Sequence, residues 1–489
     1  MKSWPSLNAS KLRDYLRDLN CLKGICIASK RTITVRDFVS GSLTGAIMKS
    51  LQTDLVTTAA LANPGELATL QKHLPKEWIE QALEATGKAS VRRRCLPAEQ
   101  VVWLVLGIAL YRDRPILDVV DKLDLSIEAG KRKFISSSGV VQARDRLGSE
   151  PLRWLFERTA DHWAHRSADA HRWEGLALYG LDGSTLRVPD TPENRQHFGL
   201  AGGSRGESGY PLLRLAALMA LRSHLLAGCH HGPYATSEDE LAGRLWEAIP
   251  DESLTILDRN FLSGEILLGI RRGGKQRHWL IRPKKNTKTK LLKTLGPGDE
   301  LVELNISPQV RRRNPSLPRR YQARRLSYTC QGKKRVILTS LVDPKRYPAQ
   351  KVAKLYEERW EIELGYDEIK TEVLLSEETL RCKTPERIDQ ELWGVFLAYN
   401  LIRLEMEQIA QEASVEPIDI SFVTALRFIQ DEWMWCAIAS PGAIPRQLRN
   451  LRAKLKRFVL PPRRKHRKYP RAVKIKMSSY PRKYRENAG

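Results

Sequence analysis

The hydrophobic period of this chain changes near Leu176, and this change constrains the fold more than any other feature of the sequence. From Leu51 to about Ser167 apolar residues recur at helical spacing. After Leu176 the sequence is typical of three strands, a helix capped by Ser237, a short buried strand, a second helix and a further strand. These stretches are LALYGLDGSTLRVPD, LLRLAALMALRS, HLLAGCHHGPYA, SEDELAGRLWEAI, SLTILD, FLSGEILLGIRR and HWLIRPKK. The order β-β-β-α-β-α-β predicts an α/β domain.

The rest of the chain divides around this α/β region. A length of 489 residues predicts more than one domain. After HWLIRPKK, turn residues and alternating runs such as LVELNIS indicate a β-rich insertion, and helix follows from Tyr356 to about Leu455. Residues 1–50 fit none of these patterns. The predicted boundaries are an unassigned segment 1–50, a helical domain 51–170, an α/β core 171–375 with the insertion at about 286–340, a helical region 376–460 and a basic tail 461–489.

The charge of the chain is concentrated in two segments. The formal net charge is +26, yet Arg271–Arg335 holds 20 Lys and Arg against 3 Asp and Glu, and Arg463–Gly489 holds 11 against 1. Concentrated basic segments on a near-neutral body point to a polyanion, and nucleic acid is the first candidate. For the tail, the alternatives are a solvated disordered run or non-specific adhesion to RNA.

Two helices are predicted in the helical domain. LPAEQVVWLVLGIALYRD has Pro97 in a first-turn position and is apolar nearly all round, which is typical of a buried helix. SSSGVVQARDRLGSEPLRWLF begins with serines suited to capping and carries Arg144 and Arg146. This second helix is either a DNA-contacting helix, with Arg144 and Arg146 as DNA-binding residues, or an ordinary amphipathic helix of a bundle.

Other features of the composition indicate a cytoplasmic protein without a membrane partner. The start, MKSWPSLNASKLRDYLRDL, lacks the apolar region of a signal peptide, and the most apolar run, Val101–Leu110, is too short to span a bilayer. The seven cysteines are scattered and form no CxxC pair, which argues against a disulfide framework or a structural zinc. Cys229-His230-His231 is not predicted to bind a metal, since neighbours on a strand point to opposite faces.

The stretch YEERWEIELGYDEIK, Tyr356 to Lys370, gathers six carboxylates in this basic chain. It holds no proline and one glycine, so it is predicted to be helical. At about 100° per residue, a continuous α-helix would place Tyr356, Arg359, Glu363 and Lys370 on one stripe and Glu361 on another face. The ordinary alternative is a solvated helix held by pairs such as Arg359–Glu363.

Three carboxylates of the predicted core are suited to one site. Asp182 lies inside the first strand, Asp258 ends the fourth strand, and Glu363 lies on the helix after the basic insertion. Their convergence at the end of a mixed sheet would bind two hard divalent cations, with Mg²⁺ preferred and Mn²⁺ as a substitute. Two such ions activate a nucleophile and stabilise a leaving oxygen in phosphoryl transfer. Each acid taken alone is also compatible with a structural role.

The spacing of Tyr356, Arg359, Glu363 and Lys370 satisfies the signature Y-(2)-R-(3)-E-(6)-K. On this match the chain resembles the DDE transposases of bacterial cut-and-paste insertion sequences, in the family typed by insertion sequence four. DGSTLRVPDTPEN and TILDRNF resemble the family's first and second Asp segments, and the similarity runs from about Leu51 to the tail. The resemblance implies a ribonuclease H-like core with a β insertion before the final Glu.

The resemblance also implies roles for single residues. Asp182, Asp258 and Glu363 would be the catalytic metal ligands, while Tyr356, Arg359 and Lys370 would hold phosphates near the cleaved end. The helical domain would bind DNA. Partners would be the element ends, target DNA and a second subunit of a synaptic homodimer, with ELWGVFLAYNLIRLEM from Glu391 as its interface. The expected location is the bacterial cytoplasm, in association with the nucleoid.

The chain departs from the family pattern at two positions. Asn260 stands where a small residue is usual, and the turn there would use the tolerance of Asn for positive φ. Arg335 stands near the place where some relatives stack a flipped base on Trp, so base flipping and a hairpin intermediate are left open. Trp279 is a substitute candidate for the stacking role, but it is more typical of a core residue. Trp360 and Tyr366 are also expected in the core. Two alternatives remain: a catalytically decayed repressor, and a ribonuclease H-like nuclease without strand transfer.

Overall fold

The computed structural model describes residues 74–89, 96–122, 127–128, 131–132, 136–203, 206–330, 332–375, 379–436 and 459. All of them belong to the unit Ala62–Gly489. The predictions for segment 1–50 and for the basic tail 461–489 fall outside the described residues.

Helices predominate among the described residues from 74 to 170. They are α1 (Lys76–Ala85), α2 (Ala98–Leu110), α3 (Ile116–Lys122), α4 (Ser137–Leu147), α5 (Glu150–Thr159) and α6 (His165–Ala170), with a hairpin of β1 (Ile127–Glu128) and β2 (Lys131–Arg132) after α3 and a π turn, Ala160–Ala164, after α5. The predicted buried helix is confirmed as α2, in which every residue from Val101 to Leu110 is buried and Pro97 is the N-cap. Predicted serine capping is confirmed at α4, where Ser136 Oγ accepts a hydrogen bond from the Gly139 N–H at 3.1 Å.

The strands after Leu176 form one ten-stranded sheet. They are β3 (Ala177–Arg187), β4 (Leu200–Gly203), β5 (Gly206–Ala220), β6 (Leu226–Pro233), β7 (Ser253–Leu257), β8 (Arg277–Ile281), β9 (Lys290–Gly296), β10 (Asp299–Asn305), β11 (Arg320–Cys330) and β12 (Lys333–Thr339). The order is β4-β5-β3-β7-β8-β12-β11-β10-β9, with β6 paired to β5. The β-rich insertion, β9 to β12, continues the core sheet because β12 pairs with β8.

The centre of the sheet is parallel. β3, β7 and β8 run parallel to one another, whereas β5 pairs with β3 and β6 pairs with β5 in antiparallel fashion. Every residue of β7 is buried, as is usual for a strand of a parallel sheet covered on both faces. The connecting helices are α7 (Pro192–Phe198), α8 (Glu238–Gly243), α9 (Gly264–Arg272) and α10 (Pro308–Arg313).

The C-terminal helices close the core. They are α11 (Ala349–Leu355), α12 (Trp360–Asp367), α13 (Pro385–Ala413) and α14 (Phe422–Cys436). α13 packs against α2 and α5, so one hydrophobic core joins the predicted helical domain, the sheet and the C-terminal region. The prediction that ELWGVFLAYNLIRLEM supplies a dimer interface is wrong, because all of it except Leu404 is buried within this chain. Among the described helices, none is long and apolar enough to cross a bilayer.

Candidate active site

Asp182 and Asp258 lie side by side on neighbouring parallel strands. Leu181 of β3 pairs with Leu257 of β7, and each Asp is the next residue along its strand. Adjacent strands are about 4.8 Å apart, so the two carboxylates project from adjacent positions. Asp182 lies inside the long strand β3, whereas Asp258 follows the end of β7, as the sequence predicts.

The turn after Asp258 differs from the predicted one. Arg259–Phe261 forms a 3₁₀ turn, and Asp258 caps it by accepting a hydrogen bond from the Asn260 N–H at 3.3 Å. Asn260 is not among the residues with positive φ, so the left-handed conformation expected there is wrong. The cap fixes the backbone at the end of β7 and thereby the position of the Asp258 side chain.

Arg359 connects the third carboxylate to this pair. Its Nη1 lies 2.6 Å from Glu363 Oε1 and 3.9 Å from Asp258 Oδ1. Only 11% of the Arg359 side chain is exposed, whereas Glu363 is 35% exposed. The guanidinium therefore brings together two acids that stand 105 positions apart in the chain and neutralises part of their charge.

Asp182, the acid inside β3, is partly buried. Burial raises the pKa of Asp182 to about 6, and the negative charges of Asp258 and Glu363 act in the same direction, while the Gly183 N–H and Arg359 oppose them. Asp182 Oδ1 accepts from the Gly183 N–H at 2.8 Å. A carboxylate held under these conditions favours a nearby cation, because a cation relieves both burial and like-charge repulsion.

The signature segment is not one uniform helix. Tyr356–Arg359 is a 3₁₀ turn, α12 follows, and Glu368–Val373 is a π turn. Residues i and i+3 eclipse in a 3₁₀ turn, so Tyr356 lies directly in line with Arg359. Lys370, which is half-buried, lies in the π turn, and the predicted rotation of 100° per residue is wrong for it.

Two other expectations for this segment have opposite outcomes. Tyr366 is buried as predicted, and its hydroxyl donates to the Asp182 backbone carbonyl at 2.8 Å. Trp360 is 59% exposed, so its expected place in the core is wrong. Its ring instead lies 5.0 Å from the Arg359 guanidinium carbon, in cation–π contact. Trp279 is buried, as expected of a core residue.

A basic cleft opens beside the carboxylates. It has a volume of about 590 Å³, and its lining includes Asp258, Arg259, Arg282, Tyr328, Arg335, Tyr356, Arg359 and Trp360. A second groove of about 580 Å³ shares Arg259, Arg282 and Val336 with the cleft and adds Lys284, Lys285, Arg325 and Lys334. Arg335 thus lies in the wall of the cleft. Three cationic side chains of the insertion, Arg325, Lys334 and Arg335, line the cleft or the groove.

The two arginines predicted to bind DNA from α4 have different environments. Arg144 is only 5% exposed, and its Nε donates to Gln390 Oε1 at 2.8 Å, so the predicted DNA contact is wrong for this residue. A buried guanidinium engaged with α13 is not accessible to a phosphate. Arg146, two positions on, is exposed.

Three acids of the signature segment outside the predicted trio have basic partners. Glu358 pairs with Arg222, Glu361 with His224 and Glu368 with Arg403. Sequence reasoning missed these basic partners. Each lies at least 35 residues from its acid, and no local pattern marks it.

Comparison with known proteins places this chain in a family. The model of the transposase DDE domain matches residues 152–401, and that of the insertion element 4 transposase N-terminal domain matches residues 64–157. The chain belongs to the insertion element 4 family of DDE transposases. It is a DNA transposase, and the prediction of that class is confirmed.

Two relatives found by sequence agree with this assignment. The chain is 40% identical over 423 residues to "Transposase InsG for insertion sequence element IS4" of Escherichia coli (strain K12), a match that covers 86% of this chain and 95% of that protein. It is 37% identical over 281 residues to "Putative transposase InsZ" of the same organism, covering 55% of this chain and 92% of that protein. Among solved structures, the piggyBac transposase synaptic complex with hairpin DNA has a TM-score of 0.39 at 12% identity, over 83% of this chain and 86% of that chain.

Proposed function

We propose that this transposase cuts DNA at terminal inverted repeats and joins the released 3′ end to target DNA, with Asp182, Asp258 and Glu363 as its catalytic carboxylates. The observation that carries the proposal is the adjacency of Asp182 and Asp258 on β3 and β7, with Glu363 joined to Asp258 through Arg359. We assign a ribonuclease H-like core to β3, β5, β6, β7 and β8. The support is three antiparallel strands followed by two parallel ones, in the order β6-β5-β3-β7-β8.

The donor set fits a divalent cation, in line with the use of such ions by DDE transposases. All three side chains offer carboxylate oxygens, the ligands that Mg²⁺ prefers, and Mn²⁺ accepts the same set. Among the described residues, no three His, Cys, Asp or Glu side chains already converge as a metal site, and Arg359 holds two of these acids instead. Asp182, Asp258 and Glu363 would hold two Mg²⁺ ions. When bound, these ions supply an activated oxygen nucleophile and stabilise the leaving oxygen.

The side chains around the carboxylates are suited to hold the DNA backbone. Tyr356 and Arg359 line the cleft, and a guanidinium forms paired hydrogen bonds with phosphate. Lys370, which lies in the π turn after α12, would contact a neighbouring phosphate. The adjoining groove, with Arg282 and Lys284 after β8 and Arg325 and Lys334 of the insertion, would carry the strand away from the scissile bond. Arg146, exposed on α4, is the DNA contact proposed for the helical domain.

Two copies of the chain are proposed to act in a synaptic homodimer, each holding one element end. The segment ELWGVFLAYNLIRLEM is almost entirely buried within the chain, so the contact between copies would use other surfaces. All three carboxylates are present, which argues against a decayed repressor.

Three substitutions test the carboxylate assignment. Asp182→Asn, Asp258→Asn and Glu363→Gln should leave end binding intact and bring Mg²⁺-dependent cleavage below detection. Asp367→Asn is the matched control, because Asp367 is an exposed carboxylate on the same helix as Glu363. The substrate is a DNA carrying matched terminal inverted repeats, with a second DNA as target. Cleavage by Glu363→Gln at the wild-type rate would contradict the assignment.

The same reaction separates the alternative functions. A transposase joins the released 3′ end to the target DNA, a nuclease cuts without joining, and a decayed repressor binds the ends without cutting. Joined product from the wild-type protein, seen by gel electrophoresis, is the expected result.

A further inference from the structure

We propose that His224 and Arg403 are positioning residues that set the direction of the catalytic segment by holding Glu361 and Glu368. This inference rests on the proposed role of Glu363. Glu361 lies two residues before Glu363, and Glu368 lies five residues after it. The segment that carries the third carboxylate is thus held on both sides of that carboxylate.

Arg403 is the centre of a cluster that also contains His224, Glu361, Glu368 and Tyr399. It comes from α13, is 1% exposed, and its Nη2 contacts both Glu368 Oε2 and His224 Nδ1, the latter at 2.6 Å. Tyr399, one turn earlier on α13, donates its hydroxyl to Glu368 Oε2 at 2.9 Å. Burial alone would raise the pKa of Glu368, but the Arg403 charge and the neighbouring His224 lower it below its usual range. Glu368 is therefore a carboxylate anchored by a cation and a hydroxyl.

His224 passes this anchor on to Glu361. An arginine can only donate, so the Arg403 contact makes His224 Nδ1 the acceptor and leaves the proton on Nε2. Nε2 then donates to Glu361 Oε2 at 3.0 Å. One guanidinium thus holds Glu368 directly and Glu361 through the imidazole.

The turn between β5 and β6 delivers His224 to this place. His224 has φ of 61°, in the left-handed region, where His is found more often than most residues. The His224 N–H donates to the Ala220 carbonyl at 2.8 Å, which closes the turn. Arg222 of the same turn forms two hydrogen bonds of 3.1 Å with Glu358. One turn of the sheet therefore holds two acids of the signature segment.

The cluster also lies where the helix changes its form. The π turn begins at Glu368, and π turns are rare and occur most often at functional sites. Anchoring Glu368 and Glu361 fixes the rotation of α12 and the start of the π turn. Glu363 and Lys370 project from these two elements, so their directions depend on the cluster.

The test uses a double substitution that removes both charges at once. Arg403→Gln with Glu368→Gln leaves no unpaired buried charge, so the protein is expected to fold. It should bind element ends in metal-free buffer as the wild type does, yet cleave them about 100-fold more slowly, since displacement of a reactive group by 1 Å has an effect of that size. The single variant Arg403→Lys keeps the positive charge without the planar fork. It should cleave faster than the double variant and more slowly than the wild type.

A matched control separates positioning from general stability. Arg324 and Asp299 form another buried pair, with bonds of 2.6 and 2.8 Å, away from the carboxylates. Arg324→Gln with Asp299→Asn should lower Tm about as much and leave the cleavage rate of folded protein unchanged. A wild-type rate in the Arg403/Glu368 variant, or an equal loss in the control, would overturn the proposal. Glu363→Gln is run alongside: if it cuts normally, the carboxylate assignment fails instead.

Discussion

The guanidinium of Arg359 contacts three groups of the site, namely Glu363, Asp258 and the face of Trp360. A planar, permanently charged fork suits this position, because it binds one carboxylate closely while remaining near a second. The same fork matches the geometry of a phosphate. At the scale of single residues, carboxylates therefore hold Arg359 in this structure. In a complex with DNA, the same guanidinium would bind a phosphate.

Replacing Arg359 should weaken the complex with the element end and strand transfer together. Hydrogen bonds to charged groups contribute about 1.5–3 kcal/mol, so Arg359→Ala is expected to lower end affinity by about 10- to 100-fold. Arg359→Lys should restore only part of this, since a point charge cannot replace the fork. Gel-shift titration with cleaved ends measures the affinity, and calorimetric titration of Mg²⁺ is the control. Loss of Mg²⁺ binding with an intact DNA complex would contradict the phosphate role.

A second residue, Asp389, gives a prediction of pH dependence. Burial raises the pKa of Asp389 from 3.8 to about 6, and the charges of Glu386 and Glu150 add to this. His231 lies 3.8 Å away, but burial lowers the pKa of this imidazole to about 4, so it is neutral near pH 7. Folding therefore favours the protonated form of Asp389, and stability at this site falls as pH rises from about 4 to 6.

Asp389→Asn should accordingly stabilise the protein near neutral pH. The expected gain at pH 7.5 is about 1–3 kcal/mol, and it should be clearly smaller at pH 4.5, where the carboxyl of the folded wild type is protonated. Thermal unfolding of both proteins at the two pH values measures the difference. An equal effect at both pH values would show that the ionisation of Asp389 has no part in it.

At the scale of elements, α12 lies close to the sheet and to α13 because glycine allows it. A Cβ on Gly365 would stand 2.3 Å from Met219 Cε of β5 and 3.3 Å from the Tyr399 hydroxyl of α13. On the sheet side, a Cβ on Gly180 of β3 would stand 3.2 Å from Ile362 Cβ. These glycines set the distance between the catalytic helix and the strands that carry Asp182.

Gly365→Ala should therefore move α12 away from the sheet. Overpacking of this kind costs about 1–3 kcal/mol, and the shift of Glu363 should also slow cleavage. Gly209→Ala is the matched control, since nothing lies within 4 Å of a Cβ at that position and its φ is not positive. Chemical denaturation and single-turnover cleavage measure the two effects. A normal cleavage rate in a destabilised Gly365→Ala protein would separate helix spacing from catalysis.

At the scale of the whole molecule, α13 ties the helical domain to the catalytic core. Arg112 after α2 forms a buried ion pair of 2.7 Å with Glu391, and Asp145 of α4 pairs with Arg387. The DNA contact proposed for α4 would thus be attached through α13 to the cluster that holds the signature segment. The basic residues are concentrated elsewhere in the sequence, in the insertion β9 to β12 and in the tail 461–489.

Removal of residues 463–489 should weaken DNA binding for any sequence and flatten its salt dependence. The tail carries 11 Lys and Arg, and counterion release scales with the number of phosphates that a protein neutralises. The slope of log affinity against log salt measures this number. A tail of equal length with its cations replaced by Ser is the control for chain length. An unchanged slope after deletion would refute a phosphate role for the tail.

The sequence by itself determined the elements and the position of the predicted carboxylates. Alternating and helical periods identified β3, β5, β6, β7, β8 and the helices α8 and α9, because a local pattern reflects which faces of a single element are buried. The spacing of the signature identified Glu363 and its neighbours, since that spacing lies within one short segment. The sequence also predicted that Arg146 is available to DNA, and Arg146 is exposed.

Only the tertiary structure decided how charges that are distant in the sequence are paired. Arg144 is two positions from Arg146 and equally basic, yet it is buried because Gln390, 246 residues away, accepts its hydrogen bond. The left-handed turn at His224 and the 3₁₀ and π turns of the signature segment had no local signal either. A buried charge is stable only where a partner meets it, and that partner is supplied by folding from distant parts of the chain, His224 to Glu361 across 137 residues and Arg403 to His224 across 179.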